Sequence, residues 1–116
     1  TEADFVCIHV EAPDECTHNG DLKGKLQAIE WLDSRVVGPI TQALADEGTD
    51  FRLLILSDHK TLTATRGHDA DPVPYLLYDS RKDTGLNLPY CEESGLKGTA
   101  YAAGAPVLMR KLFEQL

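Results

Sequence analysis

The sequence predicts an α/β fold in which helices flank a mostly parallel sheet. Patterns typical of strands and helices alternate along the 116 residues, a length that suits one domain. Residues 4–11 and 51–56 are nearly continuous apolar runs, as expected of strands that are covered on both faces. Between them, residues 21–47 carry apolar side chains at helical spacing. Together these observations favour a sheet whose strands run in the same direction.

The helix predicted over residues 21–47 has recognisable ends and an expected interruption. Asp21 precedes the first apolar residue and can cap the helix with its carboxylate. Gly38-Pro39 predicts a kink or break near the middle, because proline has no N–H group to donate. Gly48 can adopt the left-handed conformation that ends many helices.

The second half of the chain continues the alternation with weaker signals. A third strand is predicted over residues 72–78, at a sheet edge because proline stands at positions 72 and 74. A short helix is expected within residues 91–95, and a closing helix begins near Pro106, since proline suits a first helical turn. Polar loops are predicted directly after the first two strands, over residues 12–20 and 57–71.

Charge and composition exclude several classes of protein. Eleven Lys and Arg residues stand against nineteen Asp and Glu, a net charge of -8, and the basic residues are scattered, so nucleic acid is not an expected partner. No apolar stretch approaches the roughly 20 residues that a membrane span requires, and no leader segment is recognisable. Three cysteines without a CxxC pair favour a reducing compartment, so we expect a cytoplasmic protein. The opening at Thr1, without methionine, suggests a piece of a longer chain.

Histidine and aspartate side chains are concentrated in the two polar loops. Asp14 and His18 lie in the first loop, and Asp58, His59 and His68 lie in the second. Ligands of open α/β sheets bind beyond the carboxyl ends of the strands, where both loops begin. Imidazole nitrogen and carboxylate oxygen suit zinc, manganese or iron, and Asp14 and His18 can reach one ion if their loop forms a helical turn. The spacing therefore predicts a divalent-metal site, with turn formation by Asp14 and Asp58 as the alternative interpretation.

Three ordered motifs carry a resemblance to a known family. Residues 10–21 contain the pattern PD-x-x-x-H-x-G, Asp58-His59 follows a strand as a DH pair, and His68 precedes a DPVP segment at residues 71–74. Residues 36–40 match as well. With these motifs, nearly the whole chain resembles the cofactor-independent phosphoglycerate mutases, most closely the archaeal-type branch. That family belongs to the alkaline phosphatase superfamily of two-metal enzymes.

The resemblance implies a site and a reaction. Asp14, His18 and His68 would hold one divalent ion, Asp58 and His59 would help to hold the other, and manganese or zinc is usual. The implied reaction interconverts 3-phosphoglycerate and 2-phosphoglycerate through a phosphoserine. The family's nucleophilic serine and a further Asp ligand lie in an upstream segment without a counterpart in this chain. We therefore expect the C-terminal part of an alkaline-phosphatase-like metalloenzyme domain over residues 1–116, inactive when isolated.

Several alternatives remain open at this point. The resemblance also fits a homoserine kinase-like or phosphatase member of the same superfamily, and a non-catalytic metal-binding module is a further alternative. Arg66 is a candidate contact for a phosphate oxygen, because guanidinium groups suit phosphate, although a solvated loop residue is the simpler interpretation. The expected partner is a phosphorylated small molecule. Uncovered strand faces also predict self-association of the isolated chain.

Overall fold

The computed structural model describes residues 3–82, 85, 89–98 and 102–114. It divides into two compact units, Thr1–Ile40 with Thr61–Asp69 and Thr41–Lys60 with Ala70–Leu116. In chain order the elements are α1 (Ala12–His18), α2 (Leu22–Leu32), a π-helical turn (Asp33–Val37), α3 (Gly38–Glu47), β1 (Arg52–Leu56), β2 (Lys60–Thr61), β3 (His68–Asp69), β4 (Tyr75–Asp79), α4 (Glu92–Lys97) and α5 (Ala105–Phe113). The fold is a mixed α/β arrangement of helices with two small sheets.

Helix α1 occupies most of the segment predicted to be a polar loop, so that prediction is wrong for residues 12–18. Proline lies in the first turn, where its missing N–H costs nothing, and Asp14 and Glu15 place negative charge near the positive end of the helix. Thr17, which is fully buried, donates its hydroxyl to the Pro13 carbonyl at 2.7 Å. The Asn19-Gly20 pair forms a turn directly after the helix, where Gly20 has a φ of 70°.

The long predicted helix forms, and its signals have the expected effects. The Asp21 carboxylate accepts the Gly24 N–H at 2.8 Å, which confirms the cap. The predicted interruption takes the form of the π-helical turn, in which the Gly38 N–H bonds to the Asp33 carbonyl five residues back. Pro39, which has no N–H to continue the ladder, follows at once. Helix α3 ends at Gly48, which has a φ of 68°.

The first predicted strand does not form. Residues 5–11 have no regular secondary structure, and their apolar side chains are exposed, by 67% at Val6 and 54% at Ile8. A β-branched apolar sequence favours an extended backbone, but a strand also needs a hydrogen-bonded neighbour. Within the described residues that neighbour is not provided, so the segment stays outside both sheets.

The second unit contains a two-stranded sheet of β1 and β4. The strands pair antiparallel, with Leu54 opposite Leu77 and Arg52 opposite Asp79, so the expected parallel arrangement is not observed. A parallel pair needs a long crossover, usually helical, whereas the described residues between β1 and β4 contain two short strands and no helix. The predicted third strand is confirmed but starts later, at Tyr75, because its two prolines cannot donate to the ladder.

The other loop and helix predictions are confirmed in part. The predicted loop at residues 57–71 contains a small hairpin of β2 and β3, closed by a 2.9 Å bond from the Leu62 N–H to the Gly67 carbonyl. Helices α4 and α5 lie close to their predicted positions, and residues 115–116 of the predicted closing helix lie outside the described part. Among the described residues, the buried side chains are Leu108 and Thr17. No helix in that part of the chain combines the length and the apolar character needed to cross a membrane.

Two arginines, Arg52 and Arg81, contact Asp79 in the sheet of the second unit. Arg52 Nε lies 2.9 Å from Asp79 Oδ2, and Arg52 also donates to the carbonyls of Lys111 and Leu112 at the C-terminal end of α5. The Arg81 side chain contacts Asp79 at 3.3 Å. Hydrogen bonds from Arg81 and then Arg52 hold the pKa of the Asp79 carboxyl well below its usual range. The negative form of Asp79 is therefore the form that the folded unit stabilises.

We expect Asp79→Asn to lower the thermal unfolding midpoint by a few degrees at pH 7. A carboxyl whose pKa is depressed by folding stabilises the protein above its unfolded pKa, about 3.9, and loses that effect as the pH falls through its folded pKa. The deficit of the variant should therefore shrink below about pH 4. Thermal unfolding followed by circular dichroism between pH 3 and 8 measures the difference in midpoint between the wild-type chain and the variant. Asp46→Asn is a control at an exposed position. A deficit that is absent at pH 7, or that grows in acid, would contradict this account.

Candidate metal centre

Three of the predicted metal ligands lie together in the first unit. Asp14 Oδ1 is 3.1 Å from His18 Nε2 and 3.2 Å from His68 Nε2. The two Nε2 atoms are 3.0 Å apart. We call Asp14, His18 and His68 the ligand triangle.

The local fold explains why these three side chains converge. Asp14 and His18 are four residues apart on α1, so both project from one face of the helix. His68 begins β3, and the hairpin of β2 and β3 carries it to the same place. The three side chains are only partly buried, with exposed fractions of 35% for Asp14, 39% for His18 and 53% for His68. An ion and a further ligand can therefore reach the triangle from solvent.

A backbone carbonyl sets the protonation pattern of His18. His18 Nδ1 lies 2.6 Å from the Arg66 carbonyl oxygen, which can only accept a hydrogen bond, so Nδ1 carries the proton. In neutral His18 the lone pair is then on Nε2, the atom that faces the Asp14 carboxylate. Two electron-pair donors this close require a proton or a metal cation between them, because their lone pairs otherwise repel.

The donor set and its dimensions fit a divalent transition-metal ion. Ligand atoms about 2.1 Å from one ion, at angles between octahedral and tetrahedral, are about 3.0–3.4 Å apart. The edges of the ligand triangle, 3.0–3.2 Å, lie within that range. Two imidazole nitrogens and one carboxylate oxygen suit zinc, manganese or iron and leave further coordination positions for other ligands. The residues therefore fit one ion of the kind that the sequence predicts.

Two residues that the sequence did not indicate, Thr61 and Lys25, support the ligand triangle: Thr61 contacts Asp14, and Lys25 contacts Thr61. Thr61 donates its hydroxyl to Asp14 Oδ1 at 2.6 Å. Lys25, on α2, donates its ammonium group to the Thr61 carbonyl at 2.9 Å. A threonine in a polar segment and a lysine on a helix carry no local signal of such contacts, which arise only when the hairpin folds.

The other predicted ligands, Asp58 and His59, belong to the second unit. His59 Nε2 lies 3.3 Å from Asp58 Oδ1, and His59 Nδ1 lies 3.2 Å from the Lys60 carbonyl oxygen. Asp58 is well exposed, whereas the His59 side chain is 27% exposed. The assignment of this pair to a second ion stays a prediction.

Arg66, the candidate phosphate contact, is exposed and has an unusual backbone. Its φ of 58° is left-handed, a conformation that is uncommon for residues other than glycine. Its guanidinium group packs against Gly20, where a β-carbon would lie only 2.5 Å from Arg66 Nη2. A contact with phosphate stays a prediction, while the carbonyl of the same residue orients His18.

Comparisons with known proteins agree with the chemistry of the triangle. The Metalloenzyme superfamily matches residues 1–110. A 2,3-bisphosphoglycerate-independent phosphoglycerate mutase of Methanothrix thermoacetophila is 47% identical over 77 residues, which are 66% of this chain and 20% of that protein. The enzyme of the same name from Methanosarcina barkeri is 41% identical over 97 residues, 83% of this chain and 24% of its own length. No solved structure matches the chain significantly.

A third relative covers the chain to a similar extent. The 2,3-bisphosphoglycerate-independent phosphoglycerate mutase 2 of Methanothermobacter thermautotrophicus is 46% identical over 98 residues, 84% of this chain and 24% of its own length. The chain thus spans only 20–24% of the length of these three curated relatives.

We expect the chain to retain a divalent ion after dialysis against zinc or manganese, and His18→Ala to lose most of it. Removing one of three clustered donors leaves two, which hold an exposed ion poorly. His9→Ala is the matched control, because His9 is an exposed histidine in the same unit whose ring contacts Glu11 instead. Elemental analysis of the three proteins gives the result. Equal metal content in the wild-type chain and His18→Ala would rule out the triangle as the site.

Proposed function

The chain belongs to the Metalloenzyme superfamily, and we propose that it is the C-terminal, metal-binding portion of an enzyme similar to 2,3-bisphosphoglycerate-independent phosphoglycerate mutase. The observation that carries the proposal is the ligand triangle, in which one carboxylate oxygen and two imidazole nitrogens lie 3.0–3.2 Å apart. The names of the relatives support the choice of enzyme, and each of them is much longer than this chain.

The ligand triangle would hold one of two divalent ions, manganese or zinc. When bound, such an ion neutralises charge on a phosphoryl group and activates an oxygen nucleophile. The Asp14 carboxylate supplies negative charge to the site, while His18, oriented by the Arg66 carbonyl, presents its Nε2 lone pair. Asp58 and His59 would contribute to the second ion together with ligands from elsewhere in the enzyme.

The proposed reaction interconverts 3-phosphoglycerate and 2-phosphoglycerate through a phosphoserine. The nucleophilic serine would lie outside this chain, in keeping with the 20–24% of the relatives' length that the chain spans. The residues of this chain would position the phosphoryl group, with Arg66 as the candidate side chain for one of its oxygens. Such an enzyme would work in the cytoplasm, and the three free cysteines of the chain are consistent with a reducing compartment.

We also propose that the isolated chain associates with itself. The segment at residues 5–10 has no regular secondary structure and exposes Val6 and Ile8 by more than half, and only Leu108 and Thr17 are buried among the described residues. Exposed apolar side chains favour association with another copy, which the net charge of -8 opposes but does not prevent.

We expect the 116-residue chain alone to show no mutase turnover, and a longer gene product that contains it to interconvert the two phosphoglycerates with added manganese. Loss of the nucleophile removes the covalent step altogether. In the longer protein, His18→Ala should lower kcat/KM at least about 100-fold, the scale seen when one electrostatic group of an active site is removed. His9→Ala should leave the value unchanged.

Assays of homoserine with ATP, and of a simple phosphate ester, separate the alternatives. Activity on either substrate without mutase activity would contradict the proposed reaction, but the proposed metal site would still stand. Mutase turnover by the 116 residues alone that depends on His59 would contradict the placement of the nucleophile outside the chain.

A further inference from the structure

The hairpin of β2 and β3 contributes more than the ligand His68. Thr61, in β2, donates its hydroxyl to Asp14 Oδ1 at 2.6 Å. That oxygen also lies 3.1 Å from His18 Nε2 and 3.2 Å from His68 Nε2. Thr61 therefore contacts the carboxylate at the one oxygen that belongs to the ligand triangle.

A short hydroxyl–carboxylate contact of this kind is strong and directional. Hydrogen bonds from a hydroxyl to a charged oxygen are typically about 2.5–2.7 Å long, and they are roughly twice as strong as bonds between neutral groups. Oδ1 has two lone-pair directions. A hydroxyl bonded to this oxygen restricts rotation of the carboxylate, so Oδ1 is held beside the two Nε2 atoms.

The Thr61 side chain is itself well fixed. A β-branched residue has few accessible χ1 rotamers, and the strand that carries Thr61 is paired with the strand that carries His68. The Leu62 N–H bonds to the Gly67 carbonyl at 2.9 Å, directly beside this pair. Lys25, on α2, holds the Thr61 carbonyl at 2.9 Å. Fixing Thr61 therefore fixes Asp14 relative to His68, although the two ligands are far apart in sequence.

We propose that Thr61 is a positioning residue of the metal site: its hydroxyl holds the Asp14 carboxylate in the orientation in which Oδ1 joins His18 and His68 around one divalent cation. The inference rests on the proposed function, because it assumes that the ligand triangle binds such a cation. Groups that orient metal ligands in this way typically contribute about 10- to 100-fold to metal affinity. The loss should fall on affinity and much less on the fold of the metal-free protein.

Competition titrations of the 116-residue chain with zinc test the role of the hydroxyl. Thr61→Val keeps the β-branched shape and removes the donor, and it should weaken zinc binding about 10- to 100-fold. Thr61→Ser keeps the donor and should bind close to the wild-type affinity. Thr63→Val is the matched control, an exposed threonine two residues further along the same hairpin. Unfolding midpoints of the metal-free variants are measured in parallel.

The outcomes separate this inference from the function on which it rests. Equal affinity of Thr61→Val and the wild-type chain, with binding lost in His18→Ala, would overturn the role of Thr61 and leave the metal site intact. Absence of saturable zinc binding in the wild-type chain would overturn the proposed site and the role of Thr61 with it. A metal-free Thr61→Val that is largely unfolded, with no rescue of zinc binding by serine, would assign Thr61 to folding instead and overturn the inference.

Discussion

In the first unit, one carboxylate oxygen and two imidazole nitrogens lie unusually close together. Donor atoms 3.0–3.2 Å apart need a proton or a metal cation between them. In neutral His18 the ring proton is on Nδ1, bonded to the Arg66 carbonyl, so Nε2 has none to donate. A divalent cation satisfies all three donors at once. Asp14 and His18 come from α1, and His68 comes from the hairpin of β2 and β3. The same hairpin supplies the Thr61 hydroxyl, which contacts Asp14, and the Arg66 carbonyl, which contacts His18. The ion would therefore fasten these two elements of the unit to each other.

Few of the described side chains are buried in the first unit, so a metal ion that links α1 to the hairpin would matter more for its stability. Thr17 is the buried side chain of the first unit among the described residues, and many of the apolar side chains there are exposed. A unit with so little apolar burial gains limited stability from the hydrophobic effect. Metal binding contributes free energy to folding when the site is absent from the unfolded chain. The chemistry of the site and the stability of the unit are thus expected to be coupled.

Local signals in the sequence predicted the elements that depend on local interactions. The Asp21 cap, the interruption at Gly38-Pro39 and the helix end at Gly48 each depend on a few neighbouring residues, and each is observed. The strand at residues 4–11 and the parallel sheet depend on partners distant in sequence, which periodicity cannot identify. Helix α1 was missed because proline and a following Asn-Gly turn are also typical of loops. The candidate ligands were found because residue type and spacing are visible in the sequence, whereas the role of Thr61 emerges only from the folded hairpin.

X-ray absorption at the zinc edge, on the chain loaded with one equivalent of zinc, tests whether Asp14, His18 and His68 bind a single ion. We expect a first shell of nitrogen and oxygen at about 2.0–2.2 Å, with the scattering pattern of two imidazoles. His68→Ala should reduce the pattern to one imidazole, and His9→Ala should leave two. A shell of oxygen atoms without imidazole, or an imidazole count that His68→Ala does not change, would contradict the assignment of Asp14, His18 and His68 to a single ion.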